Sequence, residues 1–207
     1  MDKFEILPAF SKPIAWVDLK LSDEFYKNID IAFDQSNIEM VHNDGAGSTF
    51  GLSKDMHVLN NPVLKDFKKI ILNTVKNYWH NELLIKNDFS ITTSWFTLLT
   101  NGTKGDWHSH ANNFLSGVFY FGDYFSELKF RNFNSGNSYE CSLYDYNIFN
   151  SKEWILKPKK GLLILFPSEL NHSIIKADKE RKSMAFNMVP VGDYGTNDSR
   201  VNMKYEK

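Results

Sequence analysis

Three histidines of this 207-residue chain fall where imidazoles can meet: His108 and His110, two residues apart, and the distant His172. Residues i and i+2 of an extended strand face the same side, so His108 and His110 can present two rings to one point. His172, on a neighbouring strand, can supply a third. Imidazole nitrogen suits Fe, Zn, Cu and Ni, and three protein ligands on one side of a metal leave coordination positions for other molecules. An isolated His-x-His also occurs as two solvated or structurally bonded side chains, and spacing alone does not choose between these readings. Asp106, two residues before His108, offers a carboxylate as a ligand or as a partner to one, or it closes the turn over 101–105. His42, His57 and His80 have no partner at ligand spacing and read as structural. Cys141 has no neighbour in sequence that would lower its thiol pKa.

The elements that must position these side chains follow from periodicity. Residues 14–17 read as a short strand and 22–33 as a helix introduced by Ser22, while the Gly-, Ser- and Asn-rich stretch 42–53 reads as a loop. Over 62–84 the apolar residues recur every three or four positions, with Asn60 or Asn61 as cap and Pro62 in the first turn, which predicts an amphipathic helix. Beyond residue 87 the period changes to short β-branched and aromatic runs at 91–100, 114–121, 127–130, 153–156, 162–166, 173–176 and 182–189. Helices followed by many strands predict an α+β, mainly β protein whose C-terminal half is a sandwich or jelly roll. No internal repeat or linker divides the chain, so a single domain over 1–207 is expected, with an N-terminal strand and helical part (1–88), a β core (89–190) and a tail (191–207).

Composition narrows the function classes. The 24 Lys and Arg nearly balance the 25 Asp and Glu, which argues against nucleic-acid binding by phosphate neutralisation. One cysteine cannot close a disulfide or build a thiolate zinc site, and the longest apolar run, 162–166, is far too short to span a bilayer. With no cationic leader at the N-terminus, a cytoplasmic protein without membrane attachment is expected.

Three ordered blocks, WHSHANNFLSGVFYF at 107–121, GLLILFPSELNHS at 161–173 and RKSMAFN at 181–187, resemble a group of 2-oxoglutarate- and Fe(II)-dependent oxygenases of marine bacteria and phages. The resemblance runs from about residue 94 to 189 and implies a double-stranded β-helix, a cupin-like jelly roll with the N-terminal helices packed on one sheet. It implies His108, His110 and His172 as iron ligands, with His110 where most relatives carry Asp or Glu, so that Asp106 could instead supply a carboxylate or His110 could turn away. It also implies Arg181 as the basic residue that binds the far carboxylate of 2-oxoglutarate. The planar guanidinium fork matches a carboxylate in a way that Lys does not, although without the resemblance an arginine in the charged run 176–182 reads as a surface residue. If a strand follows Arg181, then Ser183, Ala185 and Asn187 share its face, so Ser183 can complete the clamp and Asn187 is a further candidate cosubstrate contact. Ser116 and Tyr120 share a face of their own strand, where either hydroxyl can reach the cosubstrate.

The activity so implied is hydroxylation of a C–H bond with Fe(II), 2-oxoglutarate and O2, releasing succinate and CO2. The stretches 42–53 and 130–151 are candidate lids, suited to a peptide or protein segment or a small polar molecule as substrate, and a homodimer is left open. Eight Lys and Arg against four Asp and Glu over 152–182 leave room for an anionic ligand, and a solvated face is preferred there to a nucleic-acid groove. Two competing readings remain: a cupin-like jelly roll that binds metal without using 2-oxoglutarate, and a structural protein of the same fold that binds none. The first has no need of a basic clamp nine residues after its last ligand.

Overall fold

The computed structural model describes residue 5 and residues 7–9, 11–44, 47–131 and 142–205. Eleven strands are named among them: β1 (Ala15–Asp18), β2 (Ile38–Asn43), β3 (Ser48–Ser53), β4 (Asp88–Leu99), β5 (Leu115–Tyr120), β6 (Leu128–Arg131), β7 (Glu153–Leu156), β8 (Leu162–Pro167), β9 (Asn171–Ile174), β10 (Arg181–Tyr194) and β11 (Val201–Met203). The larger sheet runs β1-β8-β5-β10-β4-β3-β2, with β11 added to β10; the smaller runs β7-β6-β9. Every pairing within these sheets is antiparallel. The architecture is therefore the mainly β jelly roll expected, a double-stranded β-helix with two helices laid against it.

Alternation along the central strands gives the large sheet two different faces. Met184, Phe186 and Met188 of β10, Leu163 and Leu165 of β8, and Leu115 and Phe119 of β5 pack with helix residues in one core. The helices are α1 (Asp23–Asp34), contributing Ile29, Ala32 and Phe33, and α2 (Lys65–Asn77), contributing Phe67, Ile71 and Val75. Tyr120, Ile164 and Phe166 point the other way, into a second core shared with Leu128 and Phe130 of the small sheet. A space between the two sheets is thereby left for a site. No helix among the described residues is long and apolar enough to cross a membrane.

Several local expectations need correction. The stretch 42–53 is not a loop but most of the β2–β3 hairpin, in which Val41 pairs with Phe50 and Glu39 with Leu52. Its Gly and Ser content hid a two-residue alternation, and Gly51 is there because a Cβ would lie 2.5 Å from Ile38 Cγ2. The helix at 62–84 is composite: a 3-10 turn at Pro62–Leu64, then α2, then a π turn at Tyr78–Glu82. Asn61 is its cap, accepting from Val63 N at 3.0 Å, whereas the Ser22 side chain makes no capping bond to α1. The strand expected at 173–176 begins two residues earlier, and the supposed tail is woven in, because β10 continues to Tyr194 and pairs with β11. Cys141 and much of the expected 130–151 lid lie outside the described residues.

Gly117 of β5 sits directly across from Phe186 of β10, and a Cβ there would fall 2.3 Å from the ring. Gly117→Ala is expected to cost about 1–3 kcal/mol by overpacking, read as a lower urea midpoint. An unchanged midpoint would mean that the Phe186 ring moves aside freely.

Candidate metal and cosubstrate site

His108 and His110 do not lie in a regular strand. They sit in an extended segment tied to its surroundings by backbone bonds. His108 N donates to His172 O at 3.0 Å, His172 N donates back to His108 O at 2.9 Å, and His110 N donates to Ser168 O at 2.8 Å. The reciprocal pair makes His108 and His172 direct neighbours across a bridge, and the i, i+2 relation adds His110. One ligand nitrogen from each ring falls within 4.8 Å of the others, so the three can hold a metal ion. Among the described residues no carboxylate joins the group.

The hydrogen bonds select which nitrogen is offered. His108 Nδ1 lies 2.9 Å from Asp106 O, and His172 Nδ1 lies 3.0 Å from Leu170 O. A carbonyl only accepts, so each Nδ1 carries the proton and each Nε2 keeps its lone pair. His110 Nδ1 lies 2.7 Å from Asn187 Oδ1 and 2.8 Å from Ser116 Oγ, and the Asn187 amide nitrogen donates to Thr93 Oγ1 at 3.2 Å. That bond aims the amide oxygen at the imidazole, giving His110 the same tautomer. Asp106 therefore acts through its backbone carbonyl, and its carboxylate is turned to Trp107 N at 2.8 Å.

Burial and the neighbouring ring of His108 pull His110 down to a pKa of about 4 and His172 to about 3. Both rings are thus neutral near pH 7, the form in which imidazole binds metal.

The cluster opens into a cavity of about 570 Å3 between the sheets. Arg181, Ser183 and Tyr120 line the same cavity. Register explains why: Ser183 pairs with Thr97 of β4 on one side and Tyr120 of β5 on the other, and Arg181 is the next inward residue of β10. Arg181 is only 1% exposed, yet its Nε and Nη1 have no hydrogen-bond acceptor, and the buried Tyr120 hydroxyl has no partner. The guanidinium lies 4.9 Å from the Tyr120 ring centroid. Burial raises the Tyr120 pKa, with the Arg181 charge opposing. A buried cation with two idle N–H donors is costly unless an anion meets it, so the pocket suits a carboxylate. Ser116 and Asn187, expected among the cosubstrate contacts, instead stand behind His110 in a network that includes Ser168.

His42, read from sequence as an isolated loop residue, lies on β2 at the cavity lip, 3.1 Å from Asp44. Its position was hidden because the hairpin was. Trp107 is a further cavity residue that spacing did not single out, held with the Arg131 guanidinium 4.5 Å over its ring.

Two outcomes follow from this geometry. Asn187→Leu removes the acceptor that sets the His110 tautomer and is expected to weaken Zn(II) or Co(II) binding about 10–100-fold, while Asn187→Asp retains it; calorimetric titration of the apoprotein checks both. The lowered pKa values also carry a sign. As pH falls below 6.5 the unfolded chain takes up protons that the folded His110 and His172 refuse, so the folded state loses stability from 6.5 downward. Apoprotein unfolded in urea is expected to show this loss between pH 6.5 and 5, above the carboxylate range, and His172→Gln to reduce it.

Residues 93–187, just under half of the chain, match the family described as "Putative 2OG-Fe(II) oxygenase". No curated protein matches the sequence. Among solved structures the fold is similar to an oxidoreductase of the 2OG-Fe(II) oxygenase family from Burkholderia pseudomallei, at 12% identity and TM-score 0.59, covering 79% of this chain and 77% of that one. It is similar to a prolyl hydroxylase from Trichoplax adhaerens in complex with a hypoxia inducible factor peptide fragment, at 11% identity and TM-score 0.57, covering 85% and 83%. It is also similar to HygX from Streptomyces hygroscopicus with nickel, 2-oxoglutarate and hygromycin B bound, at 8% identity and TM-score 0.58, covering 86% and 83%. The matched stretch begins at Thr93 and ends at Asn187, the two residues that brace His110 from behind, so the chain is similar to this family over the segment that builds the candidate site, and it shares the fold of the solved 2OG-Fe(II) oxygenases.

Proposed function

We propose that His108, His110 and His172 hold Fe(II) through their Nε2 atoms, and that Arg181, with Ser183 and Tyr120 beside it, receives the far carboxylate of 2-oxoglutarate. The observation that carries this reading is that one cavity contains both the imidazole cluster and the buried, unpaired guanidinium. A cupin-like metal site without a cosubstrate has no use for such a cation. When bound, the metal and cosubstrate supply the oxidation: one atom of O2 enters a substrate C–H bond, the other ends in succinate, and CO2 leaves. The substrate is a peptide or protein segment or a small molecule.

The chain's own part is to bind, orient and shield. Three backbone-anchored imidazoles fix the metal face, and Asn187 and Ser116 keep the His110 ring turned toward it. His110 stands where a carboxylate is usual, so the protein contributes no negative charge to the metal, and affinity for Fe(II) rests on rigidity rather than on charge. Arg181 sets the direction of the cosubstrate by bidentate pairing, and its burial keeps that pairing out of water.

The test is an anaerobic titration of apoprotein with Fe(II) and then 2-oxoglutarate. A weak visible charge-transfer band is expected, and it should be absent from His172→Ala. Iron uptake without a band would favour the cupin-like reading. Arg181→Met is expected to lower 2-oxoglutarate affinity at least about tenfold while leaving metal uptake intact. It should also leave the apoprotein as stable as the parent or more so, because a buried unpaired charge is removed. Unchanged 2-oxoglutarate binding would show that the clamp lies elsewhere.

A further inference from the structure

The cavity is chemically divided across the sheet. Its polar groups collect along β10 and the strands beside it, where Arg181 is followed by the row Thr97, Ser183 and Tyr120. In the other direction the sheet continues from β4 into the β2–β3 hairpin, with Leu52 paired to Thr97 and Val41 paired to Phe50. That side is walled by Val41, Phe50, Leu52, Met56 and Trp95, while Trp107 lines the cavity against Arg131 of the small sheet. Among the described residues there, the ionisable side chains of the hairpin that reach the cavity are His42 and Asp44, which stand at the lip and pair with each other. Asp106, also at the cavity, has its carboxylate turned to its own chain.

Resting on the function proposed above, we infer that the substrate group entering this site is a bulky hydrocarbon or aromatic moiety, at least the size of a leucine or phenylalanine side chain. Of the substrates the sequence left open, this disfavours a small polar molecule. The polar row and Arg181 are taken up by the cosubstrate, so the substrate meets the hairpin wall. A hydroxyl, amide or charge pressed against that wall gives up its water without a matching partner, whereas a hydrocarbon gains from the burial. The volume fits this division, because about 570 Å3 lies within the roughly 300–1,000 Å3 of small-molecule sites and holds a cosubstrate and one side chain together. Val41 and Phe50, facing each other across the hairpin, choose the substrate by shape and apolar contact, while Trp107 is held as a wall by the Arg131 stack, itself tied to Glu153 through Arg131 Nε at 2.6 Å.

The experiment loads the apoprotein with Co(II) and 2-oxoglutarate and offers four probes of similar size: N-acetyl-leucinamide, N-acetyl-phenylalaninamide, N-acetyl-glutaminamide and N-acetyl-lysinamide. Relaxation of each probe's NMR signals by Co(II) reports binding beside the metal. The two apolar probes are expected to bind at least about tenfold more tightly than the polar pair. Phe50→Asn and Val41→Asn, each on the hairpin and away from the histidines, are expected to erase that preference without changing Co(II) or 2-oxoglutarate uptake. The inference is overturned if the polar probes bind as well, if no probe is relaxed, or if both variants keep the preference. Failure of Co(II) or 2-oxoglutarate to bind at all is read separately in the Co(II) visible spectrum and would remove the proposed function together with this inference.

Discussion

The two-sided pairing of β10 is the constraint on which the site depends. This strand lies between β4 and β5, and its hydrogen bonds to both set which of its residues face the helices and which face the cavity. Met184, Phe186 and Met188 go to the helix side; Arg181, Ser183, Ala185 and Asn187 go inward. A slip of one residue would reverse every one of them and drive a guanidinium into the helix-packed core. The apolar outer face makes that slip prohibitively costly, so packing on one side of the strand determines the chemistry on the other. Asn187 at one end of the inward series braces His110, and Arg181 at the other is buried with Nε and Nη1 unpartnered.

The candidate ligand set is built from three imidazoles, and among the described residues no carboxylate joins them. What replaces charge is orientation. Each ring is held by an acceptor at Nδ1, two of them backbone carbonyls and the third an amide oxygen fixed by its own donor bond to Thr93. These acceptors keep the lone pairs converging, while burial and the neighbouring His108 ring hold His110 and His172 unprotonated. Arg181, a fully buried positive charge, lines the same cavity, and its burial leaves the field it exerts on an anion little screened.

Much of this was legible in the residues. The helix carrying Phe67, Ile71 and Val75, the strands 114–121 and 162–166, and the i, i+2 relation of His108 and His110 each rest on local periodicity, which the chain writes directly into its order of side chains. The β2–β3 hairpin was not legible, because Gly47, Gly51 and several Ser and Asn residues imitate a loop; Gly51 is glycine for want of room beside Ile38 and Leu98, a fact about neighbours far apart in sequence. His42 and the apolar wall of Phe50 and Val41 were missed with it.

The sequence by itself determined the inventory: the imidazoles of His108, His110 and His172, Arg181 nine residues after the last of them, and alternating strands able to aim them. Tertiary structure decided which of these meet. The bridge between His108 and His172, the turning away of the Asp106 carboxylate, the withdrawal of Ser116 and Asn187 behind His110, and the burial of an arginine lying within a charged run all depend on strand pairings over long separations. Periodicity fixes the face on which a side chain stands, but only the register between strands, set by the packing of whole sheets and helices, fixes what stands opposite.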